Sequence, residues 1–227
     1  MLTSATIERS VPSRQPVHAP APQASKAFHS SIDLMGVPMP YGRNVEIYGQ
    51  NEPAEYVYKV LSGTVRTYKV LNDGRRQIGA FYLPGDVFGL EIGEEHTFSA
   101  EAIVDSRVLV LKRSVLVSLA QRDNEVARQL WAMTAAELQR AQDHIMLLIK
   151  TAQERVAGFL LEMAKRSAAP AEIELPMSRQ DIADYLGLTI ETVSRTLTQL
   201  EKGAAIAVPT SRRIVLRNRA ALSRLNA

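Results

Sequence analysis

The 227-residue chain contains no cysteine. Disulfides, thiolate zinc sites and cysteine-ligated iron–sulfur clusters are therefore excluded. Aromatic residues are sparse, at 6%. No apolar run approaches the about 20 residues that a membrane-spanning helix needs, and the first residues lack the basic-then-apolar pattern of a signal peptide. There is no phosphate-binding glycine loop, no His-x-x-x-His spacing, and no carboxylate pair set beside a base or nucleophile. His18, His29, His96 and His144 are scattered in no ligand pattern. These absences lead us to expect a cytoplasmic, membrane-free protein that is not an enzyme and holds no metal. Acidic residues also run out: none follows Glu201, whereas Lys202, Arg212, Arg213, Arg217, Arg219 and Arg224 do. A basic end of this kind is either a solvated tail or the electrostatic footprint of phosphate contact.

What is present suffices for a core, with 46% hydrophobic and 22% charged residues. Residues 1–30 carry Pro12, Pro16, Pro20 and Pro22 among Ser, Ala and Gln, and read as a disordered arm. Residues 31–122 read as a β domain. Alternating stretches at 56–61, 64–70 and 77–83 are punctuated by Ser62-Gly63, Asn72-Asp73-Gly74 and Pro84-Gly85-Asp86, with further strands at 100–103 and 107–112. That spacing means a small antiparallel barrel or sandwich. A short helix is expected at 114–121. Residues 123–150 form a long helix without Gly or Pro. In it Trp131, Thr134, Leu138, Ala141, Ile145 and Leu148 step by three and four, as a heptad seam does. Such a stripe can pack on its own barrel; at this length a parallel two-helix dimer is the favoured reading.

Residues 151–227 close the chain: a helix at 152–166, a linker at 167–176, and then Met177–Glu201, two short helices joined by a tight turn. Ser178 can cap the first, with Asp181 as its capping-box partner. Gly187 breaks the pattern and Thr189 can cap the second. Val193, Leu197 and Leu200 lie on one face of that second helix, and Glu191, Ser194, Arg195 and Thr198 on another. A helix–turn–helix needs this division, one face packed and one aimed into a DNA groove. Segments 205–208 and 213–216 form a hairpin, the wing of a winged helix, and a last helix starts near Asn218. The fold class is α+β: an N-terminal antiparallel β-roll, a dimerisation helix and a C-terminal winged helix–turn–helix.

The recognition face can be read chemically. Arg195 can bond guanine O6 and N7 together, and Glu191 can accept from a cytosine N4 amine. Ile190 suits a thymine methyl, and Ser194 is small enough for close approach. Glu191 and Arg195 are equally an ordinary exposed helix ion pair. Ser178, Arg179, Gln180, Thr189 and Thr192 near the two helix N-termini, and Arg212 and Arg213 in the wing, are candidates for the DNA backbone.

The run Ser178-Arg179-Gln180-Asp181-Ile182-Ala183, then Gly187-Leu188-Thr189-Ile190-Glu191-Thr192-Val193-Ser194-Arg195, resembles the Crp/Fnr superfamily of bacterial transcription regulators. Gly63 and Gly85-Asp86 match its β-roll, and the likeness covers roughly residues 32–217. The Glu-x-x-Ser-Arg pattern at 191–195 is similar to the FixK-type branch of rhizobia, linked to microaerobic regulation and nitrogen fixation. The resemblance implies DNA contact at 190–195, a homodimer on a TTGAT-type inverted repeat, and activation through RNA polymerase. The polymerase-touching surfaces would lie near Lys165–Ala171 and Leu71–Arg75. Cyclic-AMP-binding members hold the phosphate with an Arg-Ser pair and the ribose with a glutamate. Ser99 and Glu91 fit, but Phe98 stands in the arginine position, and Glu94 and Glu95 add repulsion. The expectation is a regulator without cofactor. Its alternative is a ligand-gated sensor whose β-roll binds an unidentified small molecule.

Overall fold

The computed structural model describes residues 35–167 and 169–226; the arm expected at 1–30 lies outside them. Eight strands build the first half: β1 (Val37–Tyr41), β2 (Glu46–Tyr48), β3 (Tyr56–Ser62), β4 (Val65–Val70), β5 (Arg76–Tyr82), β6 (Val87–Phe88), β7 (Ser99–Ala102) and β8 (Ser106–Lys112). They form two antiparallel four-stranded sheets, ordered β1-β8-β3-β6 and β2-β7-β4-β5. Val60, Val65, Phe88, Ala100 and Val108 are buried between them with Tyr48, Tyr58 and Tyr82. Three strands escape the sequence pattern. β2 and β6 are too short to alternate, and β1 is an almost wholly exposed edge carrying Pro38 and Pro40. At the β3–β4 turn Gly63 has φ +84°, and a Cβ there would sit 2.2 Å from Ser106 Oγ. Only glycine fits that backbone at that approach.

Helix α1 (Arg113–Arg122) leads into α2 (Asn124–Leu148), which is capped by the Asp123 carboxylate accepting from the Glu125 and Val126 amides. One side of α2 lays Val126, Leu130 and Met133 on Val57, Val87, Leu109 and Leu111 of the β-roll. Helix α3 (Ala152–Arg166) starts in a capping box made by Thr151 and Glu154. The helix–turn–helix follows as α4 (Arg179–Leu186) and α5 (Ile190–Lys202), then β10 (Ile206–Ala207), β11 (Arg213–Leu216) and α6 (Arg219–Leu225). Asn218 caps α6 by accepting from the Ala221 amide at 2.9 Å.

The segment at 167–176 is more than the linker expected of it. Within it β9 (Glu172–Glu174) pairs antiparallel with β11, placing Ile173 opposite Ile214, both buried. The wing is therefore a three-stranded sheet, ordered β10-β11-β9. A Glu-Ile-Glu strand has one inward side chain, too little to show a period.

One apolar cluster spans both halves of the molecule. Ile78, Phe81 and Ile103 of the β-roll share it with Phe159 and Leu160 of α3, and with Ile182, Tyr185, Leu186, Val193 and Leu197 of the helix–turn–helix. Full burial of Ile78 and Phe81 stabilises by roughly 1.5–3 kcal/mol each. The β-roll and the helix–turn–helix are therefore packed on each other rather than strung on a hinge.

Candidate DNA-binding site

The first helix of the motif is fixed by its own residues. Ser178 Oγ accepts from the Asp181 amide at 3.1 Å. The Asp181 carboxylate in turn accepts from the Ser178 amide at 2.9 Å and its hydroxyl at 2.8 Å. At the other end Gly187 is left-handed, with φ 61° and ψ 41°, and turns the chain out of α4. Thr189 then starts α5, its hydroxyl accepting from the Thr192 amide at 3.2 Å. Helix α5 buries Val193, Thr196, Leu197 and Leu200 and leaves Ile190, Glu191, Ser194 and Arg195 exposed together.

The charged pair on that face is prepared differently at its two members. The Glu191 carboxyl is held below the usual carboxylate range by its own backbone amide, then by the Thr189 hydroxyl, then by the positive charge of Arg195. It is fully ionised at neutral pH. Among the described residues the Arg195 guanidinium makes no side-chain hydrogen bond or salt bridge, and it acts on Glu191 only through its charge. Its guanidinium is therefore available to an outside acceptor. Thr198 donates to the Ser194 carbonyl at 3.0 Å, which ties back a hydroxyl at the edge of the face.

The residues expected at the DNA backbone fall into three environments. Gln180 is exposed at the start of α4, its amide donating to Asp184 at 2.6 Å. Thr192 is half-buried, its hydroxyl 3.1 Å from that of Thr189. Arg179 is half-buried with Nη1 buried and unpartnered, and desolvation by burial lowers its pKa. In the wing, Arg213 is exposed but already paired with Glu172, whose hydrogen bond raises the arginine pKa. Arg212 is half-buried, and its carbonyl accepts from the Leu175 amide at 2.7 Å.

On α2, Trp131 is 76% exposed, Leu138 60% and Ile145 62%. Thr134 and Ala141 are exposed between them, while Leu148 is half-buried. The opposite face carries Val126 and Leu147 inward. The stripe thus does not pack on its own barrel.

The β-roll interior is filled by its own rings. His96 is 1% exposed and stacks on Tyr48, with centroids 3.6 Å apart and planes at 12°. Tyr58 and Phe88 stack beside them at 5.1 Å. Glu91 points one oxygen at His96 Nδ1 from 3.3 Å. Ser99 Oγ accepts from the Gln50 amide at 2.9 Å. The Phe98 ring lies against Gly79, where an added Cβ would stand 3.1 Å from it.

Charged residues of the β-roll also reach the motif, a role with no local sequence signal. Asp181 is 4% exposed, and its second oxygen accepts from Arg66 Nη1 at 2.6 Å and Arg76 Nη2 at 2.7 Å. Asp86, of the Gly85-Asp86 turn, pairs with Arg140 of α2 and Arg166 of α3. Only the partner elements, far off in sequence, reveal these assignments.

An exposed polar helix face, capped and seated on a buried one and flanked by a β wing, defines a winged-helix DNA-binding regulator. Comparison with known proteins agrees. Residues 154–225 match the Crp-like helix-turn-helix domain and residues 38–123 the cyclic nucleotide-binding domain. The nitrogen fixation regulation protein FixK of Azorhizobium caulinodans is 56% identical over 201 residues, 86% of this chain and 81% of that protein. FixK of Rhizobium meliloti is 43% identical over 170 residues, 74% of this chain and 77% of that protein. The solved structure of FixK2 from Bradyrhizobium japonicum superposes with TM-score 0.82 at 58% identity, covering 85% of this chain and 98% of that one. The chain belongs to the Crp/Fnr family and is a FixK-like transcription regulator with a helix–turn–helix DNA-binding domain. Its relatives are transcription regulators rather than enzymes. Among the described residues no helix is long and apolar enough to cross a membrane.

Proposed function

We propose that this protein binds DNA as a homodimer at a TTGAT-type inverted repeat in the cytoplasm and activates transcription there without cyclic AMP or an iron–sulfur cluster. Its working parts are a β-roll over 31–122, a dimerisation helix over 123–150 and a DNA-binding domain over 151–227. The observation that carries the reading is the exposed face of α5, where Arg195 is uncommitted and Glu191 is held ionised beside it. Arg195 takes the guanine, Glu191 the cytosine amine of the same step, Ile190 a thymine methyl, and Ser194 permits close approach. Ser178, Arg179, Gln180, Thr189, Thr192, Arg212 and Arg213 serve the phosphates. Arg179 and Arg213 enter this role from opposite starting points, because one is unpartnered and the other must exchange Glu172 for a phosphate.

The dimer forms through Trp131, Thr134, Leu138, Ala141, Ile145 and Leu148, and the exposure of the first five supports it. Two recognition helices related by a two-fold axis read half-sites about one helical turn apart. Independence from cyclic AMP is supported by Phe98 in the phosphate-binding position and by a β-roll interior occupied by Tyr48, Tyr58, Phe88 and His96. Contact with RNA polymerase falls to the hairpin at Leu71–Arg75, where Leu71 is exposed next to Val70 at the end of β4, and to the segment at Lys165–Ala171. Footprinting and transcription in vitro with purified protein and no effector test the whole reading. Protection of the palindrome with stimulated transcription is expected. Binding only after a small molecule is added would instead make the β-roll a ligand-gated sensor.

A further inference from the structure

Helix α4 is pinned to the β-roll at three places. Asp181, in its first turn, takes Arg66 and Arg76 on one oxygen while the other caps the helix through Ser178. Asp184, one turn later, accepts from Arg76 Nε at 2.7 Å. At the far end the Tyr185 carbonyl accepts from the Gln77 amide at 3.3 Å. Arg66 is itself held on the other side by Glu101 at 2.9 Å, so its fork is aimed before Asp181 meets it. The Tyr68 ring centre is 5.8 Å from the Arg66 guanidinium carbon and 5.9 Å from that of Arg76.

A buried ion-pair group of this kind is a poor way to gain stability, because two guanidinium groups and three carboxylates must shed water. Apolar side chains would seal the same contact at less cost, as Ile78 and Phe81 already do nearby. What the charged group adds is direction. Apolar contacts tolerate sliding; hydrogen bonds near 2.7 Å do not. A shift of α4 is carried into α5, because the two helices meet across the Gly187 turn and share Ile182, Leu186, Val193 and Leu197.

We propose that Arg66 and Arg76 are positioning residues for DNA recognition: by holding Asp181 they set the orientation of α4 and α5 on the β-roll, and hence the separation of the two recognition helices in the dimer. This rests on the homodimeric, palindrome-reading function proposed above. Specific binding then depends on side chains that never approach DNA, and half-site spacing is written into a contact of strands β4 and β5 with α4.

The test is a fluorescence anisotropy titration of the full chain against three duplexes. One is the TTGAT inverted repeat with half-sites one turn apart; the others have one base pair inserted or removed at the centre. Proteins compared are the parent, Arg66→Gln, Arg76→Gln and Arg66→Lys. Arg76 is less buried than Arg66, so its replacement asks the same question without opening a deep gap. The parent is expected to prefer the correct spacing. Both Gln variants should lose roughly two- to thirtyfold of that preference, and Arg66→Lys should recover part of it. A purely structural defect lowers the active fraction equally on all three duplexes and leaves their ratio unchanged. Variants that retain the parent's ratio would overturn the inference. A parent without spacing preference would instead overturn the dimeric reading, and the inference with it.

Discussion

The His144 imidazole meets the Tyr185 ring edge-on, with centroids 4.0 Å apart and planes at 64°, and so joins the long helix α2 to the first helix of the DNA-binding motif. Burial holds the His144 pKa below its ordinary value, with a hydrogen bond at the Tyr185 backbone opposing only part of that effect. The neutral ring is therefore the form the folded protein prefers. Stability from this contact is complete above the unfolded-state pKa of about 6.5 and is lost as pH falls through the lower folded value. Thermal melts at pH 7.5 and 5.5 should show a larger acid-induced fall for the parent than for His144→Phe, which keeps the ring and cannot charge. Equal falls in the two proteins would remove His144 from the account.

Arg195→Ala should cost about 1–3 kcal/mol of specific binding and relax the choice of base at the guanine. Binding to unrelated DNA should fall much less, because phosphate contacts are untouched. Gel shifts on the operator and on variants of that one base pair measure both effects. Undiminished discrimination at that base would refute the assignment.

Leu138→Glu and Ile145→Glu place charge on the exposed stripe of α2. Neither side chain is part of the folded core, so the melting behaviour of a single chain should barely change. Light scattering should report monomers, and operator binding should collapse to the weak affinity of one half-site. A variant that remains dimeric would move the interface elsewhere.

Gly187 sits at φ 61°, and a Cβ there would come no nearer than 3.5 Å to another residue. The cost of Gly187→Ala is therefore conformational, about 1–2 kcal/mol, and not a clash. Asn tolerates the left-handed region better. Chemical denaturation should rank the proteins Gly, then Asn, then Ala; Ala matching Gly would show that the turn relaxes.

The helix–turn–helix is legible in the sequence because its determinants are local. Ser178 and Asp181 lie three residues apart, Gly187 marks the turn, and Thr189 opens the next helix. The heptad stripe of α2 is legible for the same reason. Strand β9 is not, since one inward isoleucine makes no pattern. Nor is the second task of Asp181. Its capping role is visible three residues away, but Arg66 lies 115 residues distant, and a capping carboxylate carries no sign that its other oxygen is committed. The same holds for His96, whose place against Tyr48, with Tyr58 beyond, comes from the closing of two sheets.

Specific binding to DNA as a dimer, with no effector, is the property on which the proposed function stands. Its most direct measurement is the affinity of the purified protein, with no additive and at one stated salt concentration, for a TTGAT inverted repeat and for the same duplex with one half-site scrambled. Tight binding to the palindrome is expected, with a large loss when either half is destroyed. Equal affinity for the two duplexes, or no binding to the palindrome until a ligand is supplied, would contradict it.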